Sequence, residues 1–388
     1  MHIYVHIPFC RTFCRYCSFY SVKGLGSRDD YVKAVIKEAE SRSRFFDTPA
    51  DKTEKGCHTL YIGGGTPSCL TVAQLTELID GIKSVFPADF KEFTIEANPN
   101  DINLDYAEAL VALGVNRVSL GVQSFVDEHL IWMNRRYTAA EAISAVELLR
   151  NAGINNISLD LIFGYSLLTD SQWRYNLQTI TQLKPNHISA YQMSIDPGSP
   201  LGKQYEQGVY TPPSDDYCAR QYSLLQDYLL SKGYLQYEIS NFAISDEYCS
   251  IHNSSYWRKV PYLGLGPGAH SYNGMERSWN KNNLSGYIKY YKDRLNDGLP
   301  LGYILESEVL SKEDMFNESI MLGLRRCHGV DFGLLRAEFP EFFKEIERQL
   351  SVYIESGKLV PVGSGDRQYA IAKGYLFVAD SIIRELFV

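Results

Sequence analysis

The stretch MHIYVHIPFCRTFCRYCSFY (residues 1–20) decides the reading of this chain. His2–Ile7 is a short apolar, β-branched run that reads as a strand. Three cysteines follow it, Cys10, Cys14 and Cys17, in a C-x-x-x-C-x-x-C loop. So tight a trio of thiols points to a metal group. Three thiolates hold three irons of a cubane cluster and leave the fourth iron open to an outside ligand. Zinc is the competing reading. A structural zinc takes four ligands, usually in paired C-x-x-C halves. His6 could serve as the fourth, yet it lies on the strand.

Outward from this loop, the first half of the chain alternates strand-like and helix-like segments. Apolar runs recur at Leu60–Gly63, Phe93–Ala97, Arg117–Val122, Ile157–Phe163 and His187–Met193. Helical spacing fills Asp30–Arg44, Thr71–Phe86, Leu104–Leu113, Thr138–Ala152 and Asp170–Leu183. Thr71 and Thr138 stand at capping positions, and Gly114 and Gly153 stop their helices. Six βα units in a row predict a parallel sheet with helices outside it. The joins Leu-Gly-Val-Asn-Arg-Val (113–118) and Ala-Gly-Ile-Asn-Asn-Ile (152–157) repeat one another, which fits a barrel or part of one. Six strands fall short of a closed eight-stranded barrel.

The composition then changes. Residues 195–212 are rich in Pro, Gly and Tyr and read as a loop. Tyr217–Lys232 reads as a helix and Leu235–Ser240 as a strand, while 241–285 reads as irregular. Helices are expected at 313–325, 331–338 and 340–356. A strand pair, Lys358–Pro361 and Tyr369–Ala372, follows across a turn at Gly363–Asp366. The fold class is therefore α/β: a partial (β/α)6 barrel over 1–240, an irregular linking segment packed on it over 241–310, and a winged-helix-like α+β domain over 311–388. A winged shape suggests a DNA reader. Residues 310–388, however, hold 10 Lys and Arg against 12 Asp and Glu. Without a basic face, phosphate binding has little to drive it, so no nucleic acid is expected and the domain reads as a structural or partner-binding cap.

The 388 residues carry a net charge of −8, which argues against a general nucleic-acid binder. Hydrophobic residues at 45% suit a globular protein with a core large enough to need no disulfides. The N-terminus lacks the charged region and apolar run of a signal peptide, and no stretch approaches membrane-spanning length. The expected location is cytoplasmic. Of the eight cysteines, Cys57, Cys69, Cys218, Cys249 and Cys327 are scattered and read as small buried hydrophobes.

The cysteine loop resembles that of the radical S-adenosylmethionine superfamily, whose signature places an aromatic residue before the last cysteine; Tyr16 fills that position. The run Tyr4–Cys10 resembles the subgroup containing oxygen-independent coproporphyrinogen III oxidase and the heme chaperone HemW. The resemblance covers nearly the whole chain and implies a partial (β/α)6 barrel, a [4Fe-4S] cluster on Cys10, Cys14 and Cys17, and S-adenosylmethionine. It implies reductive chemistry, in which one electron from the cluster breaks the sulfonium C–S bond and makes a 5′-deoxyadenosyl radical. The implied cofactor residues are Tyr4, Tyr16, Gly64, Gly65, Thr66, Glu96, Gln123, Arg135 and Asp160, with Ser194 and His270 added. Most lie at strand ends, where barrel enzymes keep their sites. Bare glycine backbone in Gly63-Gly-Gly-Thr66 lets a ligand approach, though a simple turn would read alike. A carboxylate at Glu96 can accept from a ribose diol, and Arg135 suits a bidentate carboxylate contact. Asp160 within an apolar strand needs a partner if buried. No residue is assigned a catalytic role.

Three features separate oxidase from chaperone. The oxidase loop resembles C-x-x-x-C-x-x-C-x-C, and Phe19 stands at the last position here. Only three residues precede Tyr4, where the oxidase carries an extension. His252-Asn-Ser-Ser-Tyr-Trp257 resembles the H-N-x-x-Y-W motif of the HemW group. All three favour a heme chaperone that passes heme to membrane respiratory apoproteins through at most transient membrane contact. An oxygen-independent coproporphyrinogen III dehydrogenase is the alternative. His252 is a candidate heme ligand, with Tyr256 and Trp257 candidate stacking partners; all three equally suit a hydrogen-bonded aromatic core. His270 is a second candidate ligand.

Overall fold

Six apolar runs of the sequence become six parallel strands, each paired with the next: β1 His2–Ile7, β2 His58–Gly64, β3 Phe90–Ala97, β4 Arg117–Gln123, β5 Asn156–Phe163 and β6 His187–Gln192. The computed structural model describes residues 1–47, 57–297, 304–363 and 367–388. Between the strands run α1 Arg28–Ser41, α2 Val72–Val85, α3 Leu104–Ala112, α4 Asp127–Trp132, α5 Ala139–Asn151 and α6 Asp170–Gln182. Thr71, Thr138 and Thr169 close capping boxes with Gln74, Glu141 and Gln172. Gly114 and Gly153 both take the left-handed conformation, at φ 87° and 104°, that ends a helix and frees the chain for the next strand.

Side chains alternate across a strand, and here the alternation separates two environments. Ile3, Val5 and Ile7, Leu60 and Ile62, Val118, Leu120 and Val122, and Leu159 and Leu161 are buried in the core shared with the helices. The residues between them are polar: Tyr4 and His6, Thr59, Thr94 and Glu96, Arg117 and Ser119, Ser158 and Asp160. The sheet curves with its polar face inward.

Among the described residues the sheet has nine strands and stays open. At one edge, Leu263–Leu265 pairs parallel with β1. At the other lies an antiparallel hairpin, β7 Leu235–Gln236 and β8 Asn241–Ala243, with β8 against β6. The strand expected over Leu235–Ser240 covers only Leu235–Gln236, and the second strand of the hairpin begins just past the expected span. The chain turns between them, where the Glu238 carboxylate accepts from the Ser240 N–H. The loop expected at 195–212 contains α7 Pro200–Glu206, with Pro200 at its first turn and Ser199 capping the Gly202 N–H. The expected helix at 217–232 is α8 Asp215–Ser231.

The segment 241–310 is not irregular. It holds α9 Ile251–Trp257, the edge strand β9 Leu263–Leu265, and α10 Leu284–Asp297. Three more strands, β10 His270–Tyr272, β11 Glu276–Asn280 and β12 Leu305–Val309, form an antiparallel sheet. These strands are only three to five residues long, so periodicity does not announce them. The C-terminal part runs α11 Lys312–Leu324, β13 Val330–Asp331, α12 Phe332–Glu338, α13 Pro340–Glu355, β14 Leu359–Pro361, β15 Gln368–Ile371 and α14 Ala379–Arg384. Its sheet order, β13-β15-β14, is that of a winged helix. The turn expected at Gly363–Asp366 lies outside the described residues beyond Gly363. Among the described residues, no helix is long and apolar enough to cross a membrane.

A buried carboxylate ties the segment 241–310 to the barrel. Glu38 on α1 is inaccessible to solvent. It accepts from Gly266 N–H at 2.8 Å, Asn280 Nδ2 at 2.8 Å and Tyr287 Oη at 2.5 Å, and pairs with Arg42 at 3.2 Å. Removing the acceptor leaves the buried Gly266 N–H and Tyr287 hydroxyl without a partner and takes the counter-ion from Arg42. Glu38→Ala should therefore cost about 3 kcal/mol or more, read as a lower guanidinium unfolding midpoint. A loss below about 0.5 kcal/mol, the scale of an ordinary surface change, would mean that this network does not fasten the segment.

Candidate cofactor site

The cysteine loop sits over the C-terminal ends of the strands and is tied down at several points. His6 Nε2 donates to Tyr20 O at 2.9 Å, Arg15 Nε to Trp132 O at 2.7 Å, and Asn134 Nδ2 to Phe13 O at 2.7 Å. Behind it, Gly65 passes close to β1. A Cβ there would lie 2.9 Å from Ile7 O, 3.0 Å from Phe9 O and 3.1 Å from Cys10 Sγ. Only a glycine fits without displacing backbone. That passage brings Thr66 Oγ1 to 3.4 Å from Cys10 Sγ.

All three loop thiols are half-buried and face one cavity of about 750 Å³, within the range of small-molecule sites. Burial pushes the Cys17 thiol up to about 11 and raises Cys10. As free thiols Cys10 and Cys17 hold their protons, and a bound metal would replace them. Among the described residues, no three or more His, Cys, Asp or Glu side chains converge on one ion position. A cubane cluster asks for something else, since each thiolate takes its own iron. The donor set fits that group.

Around the same cavity stand Tyr16, Gly64, Gly65, Thr66, Glu96, Gln123, Arg135, Asp160 and Ser194. Glu96 accepts from Tyr61 Oη at 2.8 Å and from Gly64 N–H at 3.1 Å. Desolvation pushes its carboxyl up to about 7, and raises Asp160 to about 6 for the same reason. Asp160 accepts from Ser119 Oγ at 3.3 Å. Arg135 donates to Tyr137 Oη at 2.8 Å, Asn98 Oδ1 at 2.6 Å and Gly121 O at 2.9 Å, and reaches Cys14 Sγ at 3.0 Å. Gln123 closes β4 at a left-handed φ of 66°. Ser194 is exposed at the rim, bonded to Asp196.

The structure places the remaining candidates elsewhere. Tyr4 and His270 line a neighbouring cavity, and Tyr256 joins them. Trp257 lines neither. His252 is fully buried, with Nδ1 2.7 Å from Thr59 Oγ1 and Nε2 2.8 Å from Tyr256 Oη, and its ring stacks on Tyr61 at 5.0 Å. Both ring nitrogens are taken, so His252 is not presented to a ligand. Of the five scattered cysteines only Cys69 and Cys218 are buried; Cys57 and Cys249 are half-buried and Cys327 is exposed. Cys327 Sγ donates to Gln236 O at 3.0 Å.

Sequence reasoning missed Arg117. Its side chain is 2% exposed, lines the cavity floor, and leaves Nε without a hydrogen-bond partner. The signal was available: an Arg opening an apolar strand is as anomalous as Asp160 within one. Tyr61, Asn98 and Tyr137, which hold Glu96 and Arg135, were missed because nothing local marks them.

Comparison with known proteins agrees with this geometry. The Radical SAM superfamily model matches residues 4–180, and the HemN C-terminal domain model matches residues 310–364. The heme chaperone HemW of Lactococcus lactis is 34% identical over 329 residues, covering 84% of this chain and 82% of that protein. That of Mycobacterium tuberculosis is 31% identical over 389 residues, covering 99% and 94%. The solved coproporphyrinogen III oxidase (HemN) of Escherichia coli superposes with a TM-score of 0.80 over 100% of this chain and 89% of that one. At 22% identity it shares the fold. With two such relatives matched over most of both chains, and a barrel that carries the cysteine loop at its mouth, the chain belongs to the HemW family of the radical S-adenosylmethionine superfamily.

Proposed function

We propose that this chain is a heme chaperone, which binds a [4Fe-4S] cluster, S-adenosylmethionine and heme and delivers heme to respiratory apoproteins. The observation that carries this reading is the relationship to proteins named heme chaperone HemW over 84–99% of the chain. Phe19 supports it. Its ring is 71% exposed beside the thiols, where the oxidase loop resembles a fourth cysteine. The chaperone works in the cytoplasm and meets membranes only through its acceptors.

When bound, the cluster supplies one reducing electron and an open iron position. Cys10, Cys14 and Cys17 hold its irons. The rest of the cavity orients S-adenosylmethionine. Gly64, Gly65 and Thr66 offer close backbone approach to its methionyl part. Arg135, fixed by Tyr137 and Asn98, would pair with its carboxylate. Glu96 and Asp160 would accept from its hydroxyls, with Tyr61 and Ser119 holding each carboxyl in place. Gln123 adds an amide at the rim.

Cys14→Ser removes one thiolate. The purified, anaerobically reconstituted variant should lose most of its iron and labile sulfide while its far-ultraviolet dichroism stays unchanged; a full complement of both would overturn the ligand assignment. Cluster-loaded wild-type protein should not decarboxylate coproporphyrinogen III when given S-adenosylmethionine and a strong reductant under anaerobic conditions, with products followed by mass. Turnover to protoporphyrinogen would replace the chaperone reading with the dehydrogenase.

A further inference from the structure

A second cavity of about 490 Å³ lies beside the first, between the barrel and the C-terminal domain. Ser18 and Phe19 line both, so the end of the cysteine loop is the wall between them. The outer cavity takes its other walls from β1, from α9 and β10, and from α11 of the C-terminal domain.

Its chemistry differs from that of the thiol cavity. Tyr256 and Tyr262 meet edge to face at 4.5 Å, and Phe19 turns an exposed ring into the opening. Such surfaces suit the face of a flat apolar ring system. Two cations stand at the side. Arg277 is paired with Glu318 at 2.6 Å, and Lys259 Nζ donates to Met315 O at 2.7 Å and Ser319 Oγ at 2.8 Å. A guanidinium has five donors, so Arg277 keeps some for an added carboxylate.

Two imidazoles line this cavity. His6 has both nitrogens engaged, by Tyr4 Oη at 3.1 Å and Tyr20 O at 2.9 Å. His270 is exposed, and its ring stacks on Trp279 at 5.8 Å with an interplanar angle of 22°. Neither of its nitrogens has a hydrogen-bond partner among the described residues. A stacked, oriented imidazole with free nitrogens is suited to ligate iron.

We propose that this outer cavity is the heme site, with His270 as the axial ligand, Phe19, Tyr256 and Tyr262 against the porphyrin, and Lys259 and Arg277 facing its propionates. The proposal rests on the heme-chaperone reading. It places heme outside the thiol cavity, screened by Phe19 and open to solvent for transfer. It also gives the acidic C-terminal domain a task, since α11 closes the cavity.

Heme titration of the full-length, cluster-loaded chain tests the proposal, followed by the Soret band and by resonance Raman of the iron–ligand vibration. Wild type should bind one heme with a histidine signature. His270→Ala should lose that signature and regain an imidazole-ligated spectrum on adding free imidazole. Phe19→Asp, which keeps the ligand but charges the wall, should weaken binding without changing the ligand signature. If His270→Ala binds heme with an unchanged spectrum and affinity, the site is elsewhere and the chaperone reading stands. If wild type binds no heme, the chaperone reading itself fails.

Discussion

The period-2 alternation of the six parallel strands is the constraint on which the rest depends. In most sheets covered on both faces by helices, strands are apolar throughout. Here the alternate positions are mostly polar, and the open sheet curls around those residues. The helices receive Ile3, Val5, Leu60, Val118 and Leu159. The interior receives Glu96, Arg117, Asp160 and their hydroxyl partners. A register slip of one residue would exchange the two sets, burying charge against the helices and emptying the site.

The interior concentrates buried charge. Two carboxyls sit in it with their acidities pushed up by desolvation, and Arg117 sits fully buried with an unsatisfied Nε. An unpaired polar atom such as Arg117 Nε is costly in a folded core. Its persistence fits a cavity built to be filled. The loop above it is held by contacts from β1, from the turn after α4 and from the turn before α7, so the three thiols are positioned by the barrel and not by the loop alone.

Much of this was legible in the sequence for local reasons. Apolar runs, capping threonines and the glycines at 114 and 153 all act within a few residues, and the six-unit order follows from them. The cysteine loop is likewise local. What escaped is non-local. The edge strand Leu263–Leu265 exists because β1 offers it a partner, and α9 begins where the distant Glu92 carboxylate accepts from the Ile251 and His252 N–H groups. That same anchoring explains His252. Its motif suggests a ligand, yet the helix start points its ring inward to Thr59 and Tyr61. His270 differs from it in surroundings that no sequence spacing reveals.

The central claim is that Cys10, Cys14 and Cys17 carry a cluster with one open iron at the mouth of a cavity for S-adenosylmethionine. The most direct measurement is metal and sulfide analysis of the anaerobically reconstituted protein, joined to electron paramagnetic resonance of its reduced form with and without S-adenosylmethionine. The account predicts iron and labile sulfide in equal amounts, and a cluster signal that changes when S-adenosylmethionine is added. Bound zinc without iron or sulfide, or a cluster signal indifferent to S-adenosylmethionine, would contradict it.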